Sequence, residues 1–248
     1  MLYHFVISDK ENRERRERVQ KRLVKMGIIP HFMDAIMGKD LSPQDLADHV
    51  QEVDALTLGE VGCALSHMAC LRRFLETRRK SVVVFEDDIA FSPRLTLDVL
   101  KDLVAFVESQ EEPLMMALHD DSRPVEEVTQ IDGIAVNRTY RFMRAHAYIV
   151  NRAAARKILD LQTPLQFQFD DCKQYYYLKG ITLLTVAPAL VMNDDSVEST
   201  IESERSDDAA LAELRWQQRK KNVKRLFWAL PWQEKLLCLQ RKLKKQMQ

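Results

Sequence analysis

Cysteine is scarce in this chain and follows no pattern. The 248 residues carry only Cys63, Cys70, Cys172 and Cys238, with no Cys-x-x-Cys pair. That excludes the stapled framework of a small secreted domain and predicts reduced, cytosolic thiols. Net charge is absent as well, 37 Lys and Arg offsetting 37 Asp and Glu. No global basic field draws the protein onto nucleic acid, so a nucleic-acid partner is not expected. Long apolar runs are missing, none reaching the ~18 residues of a spanning helix. The opening Met1 to Ser8 lacks a positively charged start before a long apolar stretch, so neither a standard secretion signal nor a transmembrane segment is expected. No internal repeat or low-complexity linker interrupts the chain.

What is present is enough apolar content, 46%, for one α/β domain with a sizeable core. The apolar run Leu2 to Ser8 reads as a strand, and Val19, Leu23 and Met26 stand at helical spacing in the charged stretch after it. Gly27 and Pro30 end that helix, and His31 to Ala35 reads as a second strand. A polar stretch from Gly38 to Asp54 is long enough to be functional. Gly59 to Thr77 carries one apolar stripe and predicts a helix packed on a sheet. Ser81 to Phe85 is continuously apolar, so both its faces should be covered, as in a parallel sheet. Ser92-Pro93 marks a further helix reaching about Glu108, followed by a strand at Leu114 to Leu118. Beyond these, strands are predicted at Ile131 to Asn137, His146 to Val150 and Ile181 to Val186, with helices at Arg152 to Leu161 and Asp170 to Leu178.

The strand at Ser81 runs into Glu86-Asp87-Asp88. Period-two alternation puts Glu86 and Asp88 on one face and Asp87 on the other, at the sheet edge where open α/β sheets bind ligands. Oxygen ligands of this kind suit Mg²⁺ or Mn²⁺, which keep waters or phosphate oxygens in their remaining positions. A solvated acidic turn is the alternative. The segment Leu58-Gly59-Glu60-Val61-Gly62 opens a helix with small residues that allow backbone amides to approach an anion. Ser66 and His67 in that helix read, from the residues alone, as ordinary helix positions.

Taken together, Leu-Gly-Glu-Val-Gly-Cys-x-Leu-Ser-His at residues 58–67 and Val-Phe-Glu-Asp-Asp at 84–88 closely resemble glycosyltransferase family 25. That family includes bacterial lipooligosaccharide galactosyl- and glucosyltransferases and the collagen galactosyltransferases. Val6-Ile7-Ser8, with Arg13, Arg15 and Arg16 following, resembles its first strand and arginine-bearing helix. Phe32 to Ala35 resembles its second strand, and Ala145 to Ala155 a strand running into a helix, with Ala147 where glycine is usual. Phe169-Asp170-Asp171 resembles its Val-Asp-Asp motif, and Pro188 to Val191 with Ser199-Thr200-Ile201 its closing signature.

The resemblance implies a GT-A type, Rossmann-like mixed sheet flanked by helices. It also implies a UDP-galactose or UDP-glucose donor, inversion to a β-linkage, and a lipooligosaccharide or related acceptor. Within it, Asp88 and then Glu86 are expected to hold a divalent cation, Mn²⁺ or Mg²⁺. Asp170, or Asp171 beside it, is expected to act as base on the acceptor hydroxyl. Ile7, Ser8, Arg13, Ser66, His67 and Asp87 are expected around the nucleotide sugar, an arginine meeting phosphate through its planar fork. A third ligand is expected among Asn193, Asp194 and Asp195. A glycan-binding protein on a degenerate transferase fold, and a metal-dependent phosphohydrolase using Glu86 to Asp88, remain as alternatives.

The catalytic domain is expected over residues 1–208, and residues 209–248 as a helical, basic appendage. From Arg215 onward there are eleven bases and one acid, Glu234, interleaved with Phe227, Trp228 and Trp232. Such a segment can lie on an anionic membrane. It is expected to hold the enzyme peripherally on the cytoplasmic face of the cytoplasmic membrane, beside a lipid-linked acceptor; a packed helix with a solvated basic face is the alternative.

Overall fold

A computed structural model describes residues 2–120, 122–194 and 209–246. Strand and helix alternate in the order β1 (His4–Ser8), α1 (Arg13–Lys25), β2 (Phe32–Asp34), α2 (Pro43–His49), α3 (Leu58–Leu75), β3 (Ser81–Glu86), β4 (Ile89–Phe91), α4 (Leu97–Ser109) and β5 (Leu114–Ala117). There follow β6 (Glu126–Ile131), β7 (Ile134–Thr139), β8 (Ala147–Asn151), α5 (Arg152–Leu161), α6 (Lys173–Lys179), β9 (Thr182–Ala187), β10 (Val191–Asn193), α7 (Ala209–Ala229) and α8 (Trp232–Gln246).

Among the described residues, eight strands form one sheet in the order β2-β1-β3-β8-β5-β9-β7-β6. β1 is parallel to β2 and β3, β8 runs antiparallel between β3 and β5, and β5 is parallel to β9. The strands β1, β2, β3, β5 and β9 therefore end at a common edge, where β8 begins. This is the α/β arrangement expected, a mixed sheet flanked by helices. Val82 and Val84 of β3 face the core under α3 and α5, while Val83 and Phe85 face the core under α1 and α4. All four are fully buried, and burial on both faces is why the run is apolar throughout rather than alternating.

Several local expectations are corrected. Residues 131–137 are not one strand, because Asp132 and Gly133, at φ 50° and 73°, turn the chain between β6 and β7. Asp-Gly is a pair that accepts positive φ at both central positions of a tight hairpin. Helix α4 starts at Leu97 with the Thr96 side chain accepting from the Val99 N–H. Ser92-Pro93 lies instead in the preceding turn, closed by Leu95 N–H to Ser92 O at 2.9 Å. The polar stretch after β2 contains α2, opened by a capping box between Ser42 and Asp45.

The C-terminal helices pack on the rest of the chain. Asn222 Nδ2 donates to Gln166 O at 2.9 Å, Arg219 to Ala55 O at 3.0 Å and Arg241 to Tyr177 O at 3.0 Å. Cys238 is fully buried, and Val223, Leu226, Phe227 and Leu230 pack against the larger core. Trp228 and Trp232 stay 63% and 72% exposed. No helix among the described residues is long and apolar enough to cross a membrane.

Candidate active site

The sheet edge where β1 and β3 end gathers the acidic cluster. Regular pairing of β3 ends at Glu86, and the chain bends through Asp87 and Asp88 before β4. The bend breaks the period-two alternation, and with it the expectation that Glu86 and Asp88 share a face. Glu86 turns toward α3, its Oε1 lying 3.0 Å from His67 Nε2 and 3.9 Å from Cys63 Sγ. Asp87 and Asp88 turn toward α1, where one guanidinium nitrogen of Arg15 meets both, at 2.6 and 2.8 Å. Ser8, at the end of β1, donates from Oγ to Asp87 at 2.7 Å.

Three carboxylates this close cannot all ionise freely. Burial pushes the Asp87 carboxyl up, with Arg15 and Ser8 pulling it back. Burial, then repulsion from Glu86, pushes Asp88 to about 6 against the pull of Arg15. Burial works the same way on Glu86, but the hydrogen bond and charge of His67 outweigh it and hold that carboxyl below its ordinary value. Asp88 Oδ1 is buried and, among the described residues, has no hydrogen-bond partner. A crowded carboxylate with an unspent oxygen fits a hard divalent cation. Cys63 Sγ, His67 Nε2 and Glu86 Oε1 lie within 4.8 Å of one another, so the α3 side of Glu86 offers softer donors than the Asp88 side.

His67 is buried and fully engaged. Its Nδ1 lies 3.2 Å from the Tyr148 hydroxyl, and its ring stacks on Phe169 at 4.4 Å and 11°. That stack carries the chain from the acidic cluster to Asp170 and Asp171. The helix expected from Asp170 begins instead at Lys173 with Cys172 as N-cap, so neither carboxylate caps α6. Asp171 accepts from Gln174 Nε2 at 3.1 Å and pairs with Lys173 at 3.2 Å. Both aspartates line a groove beside α6 and α7.

The other residues singled out from sequence separate. Ser66 Oγ accepts from the Ile36 N–H at 2.8 Å and donates to Gly62 O at 2.7 Å, so it pins the loop after β2 against α3. A Cβ on Gly62 would come within 2.4 Å of Ile36 O, so that contact tolerates no side chain there. Ile7 packs its side chain in the core. Arg13 is exposed at the first position of α1, while Arg15 is turned inward. Arg15 stands one and two helical turns before the buried Val19 and Leu23, and that stripe was the signal pointing to it. The β4–β10 pairing brings Asp194 N–H to Asp88 O at 2.8 Å, with the Asp194 carboxylate accepting from Arg22 at 2.6 Å. Asn193 closes β10. Asp195 and Ser199-Thr200-Ile201 lie outside the described residues.

A mixed α/β sheet thus carries an acidic cluster at its carboxyl edge, linked through the His67–Phe169 stack to a separate pair of aspartates. The sequence profile of glycosyltransferase family 25 (LPS biosynthesis protein) matches residues 1–173, and the chain belongs to that family. A bovine protein named probable inactive glycosyltransferase 25 family member 3 is 33% identical over 172 residues, covering 64% of this chain and 28% of its own length. Mouse procollagen galactosyltransferase 2 is 27% identical over 107 residues, covering 39% of this chain and 17% of its own. The chain thus spans under a third of either relative. Among solved structures, galactosyltransferase LgtC with donor and acceptor sugar analogs superposes with a TM-score of 0.42 at 13% identity, over 95% of this chain and all of that one.

Proposed function

We propose that this chain transfers a hexose, galactose or glucose, from its UDP-sugar to a lipooligosaccharide or related surface glycan, inverting the anomeric centre to a β-linkage. The observation that carries the reading is the unpartnered, buried Asp88 Oδ1 among three carboxylates at the sheet's carboxyl edge. Asp88 would hold Mn²⁺ or Mg²⁺, with Glu86, turned toward His67 yet close enough for its charge to raise the Asp88 carboxyl, as the second ligand; when bound, the cation offsets the charge developing on the departing diphosphate. Asp87 is held by Ser8 and Arg15 and is the carboxylate that orients the donor. The end of β1, Ile7 and Ser8, together with Arg13, borders the nucleotide.

In the reaction the acceptor hydroxyl oxygen attacks the anomeric carbon as the bond to the UDP β-phosphate oxygen breaks, UDP leaving with the electron pair. Asp170, or Asp171 beside it, takes the hydroxyl proton. His67 keeps Glu86 ionised and oriented through the 3.0 Å contact. The exposed Trp228 and Trp232, set among the cationic residues of α7 and α8, support peripheral attachment to an anionic membrane on its cytoplasmic face, where a lipid-linked acceptor would lie.

Saturation-transfer NMR with a panel of UDP-sugars, followed by assay of UDP release with and without a soluble oligosaccharide acceptor, tests the reading. Acceptor-dependent UDP release that chelation abolishes is the expected result. Sugar binding without turnover would make the chain a glycan-binding protein on a degenerate transferase fold, and acceptor-independent phosphate release would make it a phosphohydrolase.

A further inference from the structure

Beside Asp170 and Asp171 a groove of about 600 Å³ opens between the β7–β8 connection, α6 and α7. Seven cationic side chains line it against these two carboxylates, in a chain with no net charge. The cations do not arise from one local run, since Arg141 comes from the β7–β8 connection, Lys173 from α6, Lys242 from α8 and the others from α7. Lys221 and Lys224 on α7 are three residues apart, hence on one helical face, and both are exposed. The Trp216 ring lies in the same wall, 46% exposed, with the Lys220 ammonium 3.6 Å from its centroid. An exposed aromatic ring flanked by lysines offers a stacking surface for a sugar's apolar face and point charges for an anion bonded to it.

We infer that this groove receives the acceptor, and that the acceptor is an anionic oligosaccharide bearing phosphate or carboxylate groups. The inference rests on the reading of Asp170 or Asp171 as the base, because that reading puts the acceptor hydroxyl at the groove's acidic end. None of Ser8, Arg15, Glu86, Asp87 and Asp88 lines the groove, which leaves it to the second substrate. A neutral glycan needs no concentration of positive charge from four separate elements; an anionic one is drawn in and oriented by it. The C-terminal helices thereby become part of the substrate site.

The test uses the full chain and two probes: the lipid-free core oligosaccharide released from lipooligosaccharide, with its phosphates intact and after their removal. By titration calorimetry the wild type should bind the phosphorylated form at least tenfold more tightly. Lys221→Glu/Lys224→Glu should erase that preference, leave the dephosphorylated form bound as before, and leave UDP affinity unchanged; unchanged UDP affinity also shows the variant folded. The milder Lys221→Gln/Lys224→Gln should fall between. Equal wild-type affinity for the two probes, or a charge-reversed variant that keeps the preference, overturns the inference. So does a variant that loses only its binding to vesicles containing phosphatidylglycerol, which would assign the cations to a membrane face. Expected calorimetry without turnover on any UDP-sugar would uphold the groove and overturn the transfer reading alone.

Discussion

The imidazole of His67 lies flat on the ring of Phe169, 4.4 Å between centroids and 11° between planes, while its Nε2 meets Glu86 Oε1 at 3.0 Å. One buried side chain thus links the acidic end of β3 to the segment that presents Asp170 and Asp171. Removing it loosens both ends at once. His67→Ala should lower kcat by about 10- to 100-fold, the usual range for a group that orients a ligand residue. His67→Gln, which can still donate to Glu86, should recover part of the loss. Steady-state kinetics beside circular dichroism separate this from unfolding, and wild-type kcat in a folded His67→Ala protein would refute the positioning role.

Asp88→Asn and Glu86→Gln should abolish transfer while leaving the fold intact, since each removes a charge from a sheet edge and no packing atoms. Chelation of the wild type should do the same, and added Mn²⁺ should restore only the wild type. Unchanged turnover in chelated buffer would end the metal assignment.

The crowding at Asp88 has a thermodynamic signature. Its carboxyl titrates near 6 in the folded chain against 3.8 ordinarily, so the folded state holds that proton more tightly than the unfolded state. The stability gained from the proton is full below about 3.8 and is lost as pH rises through about 6. In metal-free buffer Asp88→Asn, which cannot ionise, should therefore be the more stable protein above pH 6, by on the order of 2 kcal/mol. The difference should shrink toward zero by about pH 4. Thermal melts of both proteins across that range check it, and a pH-independent difference would contradict the charge account.

Asp170→Asn should remove transfer while UDP affinity stays near the wild-type value, as expected of a group acting on the acceptor proton rather than on the donor. Asp171 is tied to Lys173 and Gln174, so Asp171→Asn should cost less. The reverse pattern in initial rates would move the base by one residue.

Membrane attachment needs a gentler probe than truncation. Removing residues 227–248 would strip Cys238, Phe227 and Leu230 from the core they cover and destabilise the whole chain. Trp228→Glu/Trp232→Glu changes only exposed rings. It should release the protein from anionic liposomes at physiological salt and leave transfer to a soluble acceptor unchanged; equal cosedimentation of variant and wild type would refute the anchor.

The sequence by itself determined the sheet-and-helix order, because burial on both faces forces a continuous apolar run such as Val82 to Phe85, and helical burial forces a stripe such as Val19 and Leu23. It also determined the family, through short motifs held at fixed spacing around Gly59 to His67 and Glu86 to Asp88. It left the Asp-Gly hairpin unread, although that turn's chemistry is local and was there to be used. Where a strand ends, periodicity stops carrying direction, so only the tertiary structure decided that Asp88 joins Asp87 on Arg15 and parts from Glu86. Distance along the chain hid the rest. The stacking of His67 on Phe169 and the packing of α7 beside Asp170 bring together residues dozens of positions apart, and the competition between burying apolar surface and satisfying buried charge resolves only when the whole chain has closed on itself.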